Sequence, residues 1–134
     1  MIFKTWGKLQ YYESWLVCYV DDELAKYYRR LLPKAWHVQP QAYPAHITVV
    51  RKGIEKVKPD KLWGQYNKMS IKLTYENVVR SDNLYFWLNA WSASIGQIRQ
   101  ELGLPFYRFG FKNYHISIGN KKHETLRNTT TVQN

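Results

Sequence analysis

The sequence has a single cysteine, Cys18, so it offers no internal disulfide and no thiolate cage for a metal. Acidic residues are also scarce. Ten Asp and Glu stand against twenty Lys and Arg, a formal charge of +10 with an isoelectric point of about 9.7. That imbalance favours a polyanionic ligand, and a nucleotide or nucleic acid comes first. No apolar run approaches the roughly 20 residues that a membrane-spanning helix needs. The opening MIFKTWGKLQ lacks both the apolar stretch and the small-residue cleavage site of a secretion signal. A reducing, cytoplasmic setting with no membrane partner is therefore expected. Low-complexity segments and coiled-coil heptads are missing as well. What the chain does have is 134 residues that are 45% hydrophobic and 16% aromatic, enough to bury the core of one ordinary domain.

The periodicity gives one pattern twice. Trp15 to Val20 is a short apolar, β-prone run that predicts a buried strand. Asp21 and Asp22 offer an N-cap to a helix over 23–32, with Leu24, Tyr27, Tyr28, Leu31 and Leu32 on one stripe, and Pro33 ends it. A loop then leads to a second strand from His46 to Val50. In the other half Tyr85 to Ala90 reads as a strand, and Ser92 or Ser94 caps a helix through Leu102 that Gly103 stops. A loop containing Pro105 leads to a strand from Tyr114 to Gly119. Between the halves, Met69 to Tyr75 alternates like a further strand. Two strand–helix–strand units in tandem predict an α+β domain of two similar lobes over residues 1–122, meeting at a central cleft, with a polar tail over 123–134.

Each unit closes on the same tetrad: His46-Ile47-Thr48-Val49 and His115-Ile116-Ser117-Ile118. On a strand the side chains alternate, so His46 and Thr48 share one face while Ile47 and Val49 share the other; His115 and Ser117 repeat this. One such tetrad is a common accident, but a second at the equivalent place in a repeat is not. Paired imidazoles and hydroxyls suit phosphodiester chemistry. One neutral His takes a proton from the attacking hydroxyl and the other, protonated, gives one to the leaving oxygen. The hydroxyls donate to the phosphate oxygens, where charge develops. No third ligand at suitable spacing makes the histidines a zinc site, so neither metal nor cofactor is expected. Which His is base and which is acid is left open.

The two tetrads resemble those of the 2H phosphoesterase superfamily, named for paired His–x–Ser/Thr–x motifs on two pseudo-symmetric lobes, over the stretch from Trp15 to Gly119. The chain as a whole looks most like the phage-encoded members that destroy cyclic-oligonucleotide alarm signals, the anti-CBASS enzymes. Its small size, Thr5-Trp6-Gly7-Lys8, Tyr11-Tyr12-Glu13, Trp15 and Arg51-Lys52 carry that narrower likeness. The resemblance implies metal-free hydrolysis of 3′–5′ linked cyclic di- or trinucleotides in an infected bacterial cytoplasm. It makes His46, Thr48, His115 and Ser117 catalytic. Ser117 where the first tetrad has Thr supplies the same hydroxyl donor.

Further candidates follow from charge and ring chemistry. Arg51 and Lys52 directly after the first tetrad, and less so Lys121 and Lys122 after the second, are placed to hold flanking phosphates. Trp6, Tyr11 and Tyr12, in a polar stretch before the first predicted strand, are candidates for stacking on bases, with Tyr12 and Trp6 as the expected contacts. Trp36 and Tyr43 lie in the loop leading to His46, whereas Tyr27, Tyr28, Phe86 and Trp87 are expected in the core. His37 and His123 are expected at the surface, and Cys18 as a buried, inert thiol. The expected partner is a small cyclic oligonucleotide met by a monomer, with no stable nucleic-acid partner. Two other readings stay open: an enzyme for RNA 2′,3′-cyclic phosphates or 2′–5′ oligoadenylates, and a non-catalytic sponge for nucleotides.

Overall fold

The computed structural model describes residues 1–57 and 62–122; the polar tail over 123–134, with His123, lies outside the described residues. Six strands and two helices follow in the order β1 (Ile2–Tyr11), β2 (Leu16–Val20), α1 (Asp22–Arg30), β3 (His46–Val50), β4 (Ser70–Ser81), β5 (Tyr85–Trp91), α2 (Ala93–Glu101) and β6 (Tyr114–Asn120). A 3-10 turn over Lys34–Trp36 follows α1 and closes on the exposed His37, whose φ of 53° is left-handed. The strands bond in the order β1-β2-β3-β6-β5-β4, and β4 returns to β1, so the sheet is a closed antiparallel barrel.

This corrects the two-lobed α+β arrangement with a cleft between sheets. The strand–helix–strand units are present as elements, but they do not stand apart. Two pairings join them. The histidine strands β3 and β6 bond directly to each other, and β1 bonds to β2 on one side and to β4 on the other. The first ten-residue strand was invisible as such because Thr5 and Gly7 interrupt the apolar positions that alternation would need, Phe3, Leu9 and Tyr11. Gly7 is there for space: a Cβ on it would lie 2.3 Å from Cys18 Sγ. Strand β4 runs on to Ser81, past the alternating Met69 to Tyr75 stretch, through a bulge between Tyr75 and Val79.

The helices form where their caps put them. Asp21 Oδ1 accepts from Glu23 N at 3.0 Å and Ser92 Oγ from Ile95 N at 3.3 Å, each satisfying a first-turn amide. Asp22 has a different task. Its Oδ1 accepts from Ala45 N at 2.9 Å and ties the start of α1 to the entrance of β3. One face of the sheet carries the core. Cys18, Ile47, Ile116 and Leu88 form a row across β2, β3, β6 and β5, all fully buried. Onto the same cluster α1 brings Ala25 and Tyr28, and α2 brings Ile95, Ile98 and Leu102. Burying a side chain of this size contributes about 1.5–3 kcal/mol. Tyr28 and Phe86 are core residues, as expected, but Tyr27 is 55% exposed and Trp87 belongs to the opposite face.

A buried ion pair fixes the chain after β3. Arg99 of α2 is 2% exposed, and its guanidinium meets Glu55 through two bonds of 2.9 and 2.6 Å. It also donates to the Val49 carbonyl at 2.6 Å and to the Pro105 carbonyl at 2.8 Å. Burial acts to raise the Glu55 carboxyl, but the Arg99 hydrogen bonds and the Arg51 amide outweigh it and hold the group below its usual 4.5. Arg99→Met therefore leaves a buried carboxylate without its cation, held by the Arg51 amide alone, and takes the Arg99 donors from two carbonyls, and should cost about 3–5 kcal/mol in urea unfolding at neutral pH. Because the folded pKa of Glu55 is depressed, its stabilisation is complete above the unfolded carboxyl value and is lost as pH falls through the folded one. The gap between wild type and Arg99→Met should accordingly shrink in unfolding curves taken below pH 4.5.

Candidate functional site

Strand register builds the site. Ile47 of β3 lies opposite Ile116 of β6, and His46 lies opposite Ser117. Thr48 and His115 lie one residue beyond these two pairs, each on its own strand. Antiparallel neighbours are related by a local twofold axis normal to the sheet. An axis through the Ile47–Ile116 pair maps His46 onto His115 and Thr48 onto Ser117. All four polar side chains then share the face opposite the core. On an ideal antiparallel ladder continued past these pairs, they fall at the corners of a rectangle about 5 Å across the strands and about 7 Å along them, with imidazoles on one diagonal and hydroxyls on the other. Neighbouring strands extend both rows. Tyr19 pairs with His46 and Trp87 with Ser117, while Val17 pairs with Thr48 and Asn89 with His115.

The two histidines differ in their surroundings. His46 is 8% exposed, and its Nδ1 lies 2.7 Å from the Pro44 carbonyl. A carbonyl only accepts, so Nδ1 carries the hydrogen and a neutral His46 keeps its Nε2 lone pair open. Three rings stand edge-on to it: Trp15, Tyr19 and Tyr43 at 6.3, 6.1 and 6.3 Å. Burial pulls its pKa below 6.5, and the Pro44 bond offsets part of that. His115 instead stacks flat on Trp87 at 4.6 Å and meets the edge of Phe111 at 5.4 Å. Its pKa is lowered first by burial and then by the guanidiniums of Arg108 and Arg51, against the opposite pull of Asp82.

A cavity of about 500 Å³ opens on the His115 side, lined by Thr48, His115 and Ser117 together with Arg51, Arg108, Trp87, Tyr85 and Phe111. A smaller one of about 190 Å³, walled by Tyr43 and Arg29, shares Ser117 and Gln41 with it. Gln41 is held there by Asn120, whose amide donates to its Oε1 at 2.8 Å, and the 38–39 segment packs on β6 because residue 119 is glycine. A Cβ on Gly119 would sit 2.6 Å from Val38 Cγ1 and 2.9 Å from the Gln39 carbonyl.

Of the residues singled out from the sequence, His46, Thr48, His115 and Ser117 come together on one face, although His46 lines neither cavity. Arg51 lines the larger cavity. Lys52 is exposed and lines neither. Tyr12 reaches the His46 side through its neighbours: its hydroxyl is 2.7 Å from that of Tyr19, and its ring stacks on Trp15 at 4.9 Å. Trp6 is on β1, not before the first strand. It is 63% exposed, on the histidine face two positions from Lys8, which pairs with Tyr19. Trp36 stacks on Phe86 and carries the Lys121 ammonium at 5.6 Å, and the Lys122 ammonium lies over Tyr85 at 5.0 Å. Burial pushes the Cys18 thiol up to about 12, which leaves it inert at neutral pH.

Sequence reasoning missed Arg108 and gave Trp87 to the core. Arg108 had no motif to mark it. Trp87 was legible, since it alternates with the core residues Phe86 and Leu88 and so must face the other way. Among the described residues no group of three His, Cys, Asp or Glu side chains gathers to hold a metal ion.

Both imidazoles should titrate below pH 6.5 when followed by NMR. Arg108→Gln should raise the His115 value, because it removes a like charge, and leave His46 where it is. A His115 value unmoved by that change would contradict the electrostatic account. Comparisons with protein-family models, curated proteins and solved structures find no match to this chain.

Proposed function

We propose that the chain is a metal-independent phosphodiesterase in which His46 and His115 work as an acid–base pair on one phosphate. The observation that carries this reading is the His46–Ser117 pairing of β3 with β6, a register that puts two imidazoles and two hydroxyls on a single sheet face about a local dyad. A phosphate over its centre has an imidazole at either end of one diagonal and a hydroxyl at either end of the other. That is the arrangement an in-line displacement uses.

The surroundings of His46 give it one role, and His115 takes the other. His46 has its Nδ1 proton held by the Pro44 carbonyl, so Nε2 is the base. It takes the proton of a ribose 2′-hydroxyl as that oxygen bonds to the adjacent phosphorus. The bond from phosphorus to the 5′-oxygen breaks, and the departing oxygen takes its proton from His115. The product is a 2′,3′-cyclic phosphate with a free 5′-hydroxyl. Water then opens the ring with the two roles exchanged, which restores both protonation states. Thr48 and Ser117 donate to the non-bridging oxygens. Excess Lys and Arg and the aromatic flank of His46 suit a nucleotide, and the likeness of Thr5-Trp6-Gly7-Lys8 and the Tyr12 region to the anti-CBASS enzymes narrows it to a cyclic di- or trinucleotide defence signal. The net effect in an infected bacterium would be to silence antiphage immunity.

The test is incubation with a panel of cyclic di- and trinucleotides in excess EDTA, with products resolved by chromatography. Linear products that persist in EDTA are expected. His46→Ala and His115→Ala should each lower turnover by about 10²–10⁴-fold, and Thr48→Val or Ser117→Ala by about 10²-fold. Cleavage that EDTA abolishes would overturn the mechanism. Turnover of RNA 2′,3′-cyclic ends or 2′–5′ oligoadenylates alone would move the substrate while keeping the chemistry. Intact ligand recovered from every incubation would make the protein a sponge.

A further inference from the structure

The larger cavity breaks the symmetry of the histidine rectangle. The dyad would treat both ends alike, yet His46 is closed in by Trp15, Tyr19 and Tyr43, while His115 opens onto a space walled by Arg51 and Arg108. Arg51 stands one residue beyond the end of β3, and Arg108 in the loop before β6, so two different segments bring guanidiniums to one cavity. The carboxylates that share it are already engaged. Glu55 is clamped by Arg99, and Asp82 Oδ1 accepts the amides of Leu84 at 3.1 Å and Tyr85 at 2.7 Å. Among the described residues neither Arg51 nor Arg108 has a carboxylate within ion-pair distance. Arg108 instead lies over the face of Phe111, 5.3 Å from its centre.

We infer that Arg51 and Arg108 form a second anion site, distinct from the histidine rectangle, which takes a substrate phosphate other than the one being cleaved. Two guanidiniums on one cavity repel each other, and Glu55, already clamped by Arg99, offsets that only in part; a bound phosphate removes the repulsion while accepting paired N–H bonds from each. The like charges leave a mark on the free protein: Arg51 is lowered first by burial and next by Arg108. Tyr85, Trp87 and Phe111 in the same wall give the nucleoside between the two phosphates an aromatic surface, although Lys122, His115 and Arg108 already cover one face of each. The site therefore selects for a ligand with at least two phosphates. It rests on the phosphodiesterase reading for the identity of that ligand, though not for the binding of an anion.

The probe is inorganic phosphate, titrated into the full-length protein at constant ionic strength and followed by NMR at the arginine Nε–H signals. Wild-type protein should bind it with the largest shifts at Arg51 and Arg108. Arg51→Gln and Arg108→Gln should each weaken binding about tenfold, Arg108→Lys should restore part of it, and His46→Ala should leave it within about twofold. Thermal unfolding of each variant checks that the fold is retained. Binding that survives both glutamine changes, or that His46→Ala abolishes, overturns the assignment, because the anion then sits elsewhere or at the rectangle. Arginine-dependent binding supports the site whether or not the protein turns over any phosphodiester. The failure of the phosphodiesterase reading is thus seen separately, in the chromatography of EDTA-treated incubations.

Discussion

Everything at the site depends on one backbone register, the antiparallel pairing that sets Ile47 against Ile116. A strand has a period of two, so this single alignment decides both what is buried with the helices and what stands on the opposite face. It sends Ile47, Val49, Ile116 and Ile118 into the core with the helices, and it sends the imidazoles and hydroxyls to the other face. A slip of one residue would put a histidine where an isoleucine is now fully buried. The hydrophobic tetrad positions are thus the device that holds the polar ones in place. The adjacent rows repeat the constraint, with Cys18 and Leu88 flanking the isoleucines and Tyr19 and Trp87 flanking the His46–Ser117 pair.

Around that register the molecule is deliberately unequal. The His46 end is an aromatic enclosure joined through Tyr19 and Trp15 to Tyr12. The His115 end is cationic and open. The difference arises from the connections. After β3 the chain is fastened by the Glu55–Arg99 pair, which leaves Arg51 at the rim. Before β6 the loop carries Arg108 to the same rim. On the other side, Asp22 holds Ala45 and Pro44 holds the His46 ring, so the approach to β3 is tied to α1. In matching tetrads the two imidazoles are lowered by different neighbours, because the segments on either side of them differ.

Much of this was legible in the sequence, and the parts that were not share a cause. The caps at Asp21 and Ser92, the two helices and the four strands of the repeat follow from local periodicity and hydrogen-bonding chemistry. So does the sharing of a face by His46 with Thr48 and by His115 with Ser117. What local pattern does not contain is which strand bonds to which. The joining of β3 to β6 and of β1 to β4 is a long-range choice, and it turned two expected lobes into one closed sheet. Arg108 escaped for a related reason, since its relevance lies in a loop path and not in spacing. Trp87 is the instructive case. Its neighbours Phe86 and Leu88 are core residues, and strict alternation already required it to face the histidines.

Closure of the sheet has one more consequence. An open sheet ends in strands whose unpaired amides and carbonyls invite another chain to add on. This protein is rich in tyrosine and tryptophan, residues that favour strands. By pairing β1 with β4 the barrel spends its last two edges on each other. Among the described residues, no strand of the barrel is thereby left with an open edge to template the addition of another chain.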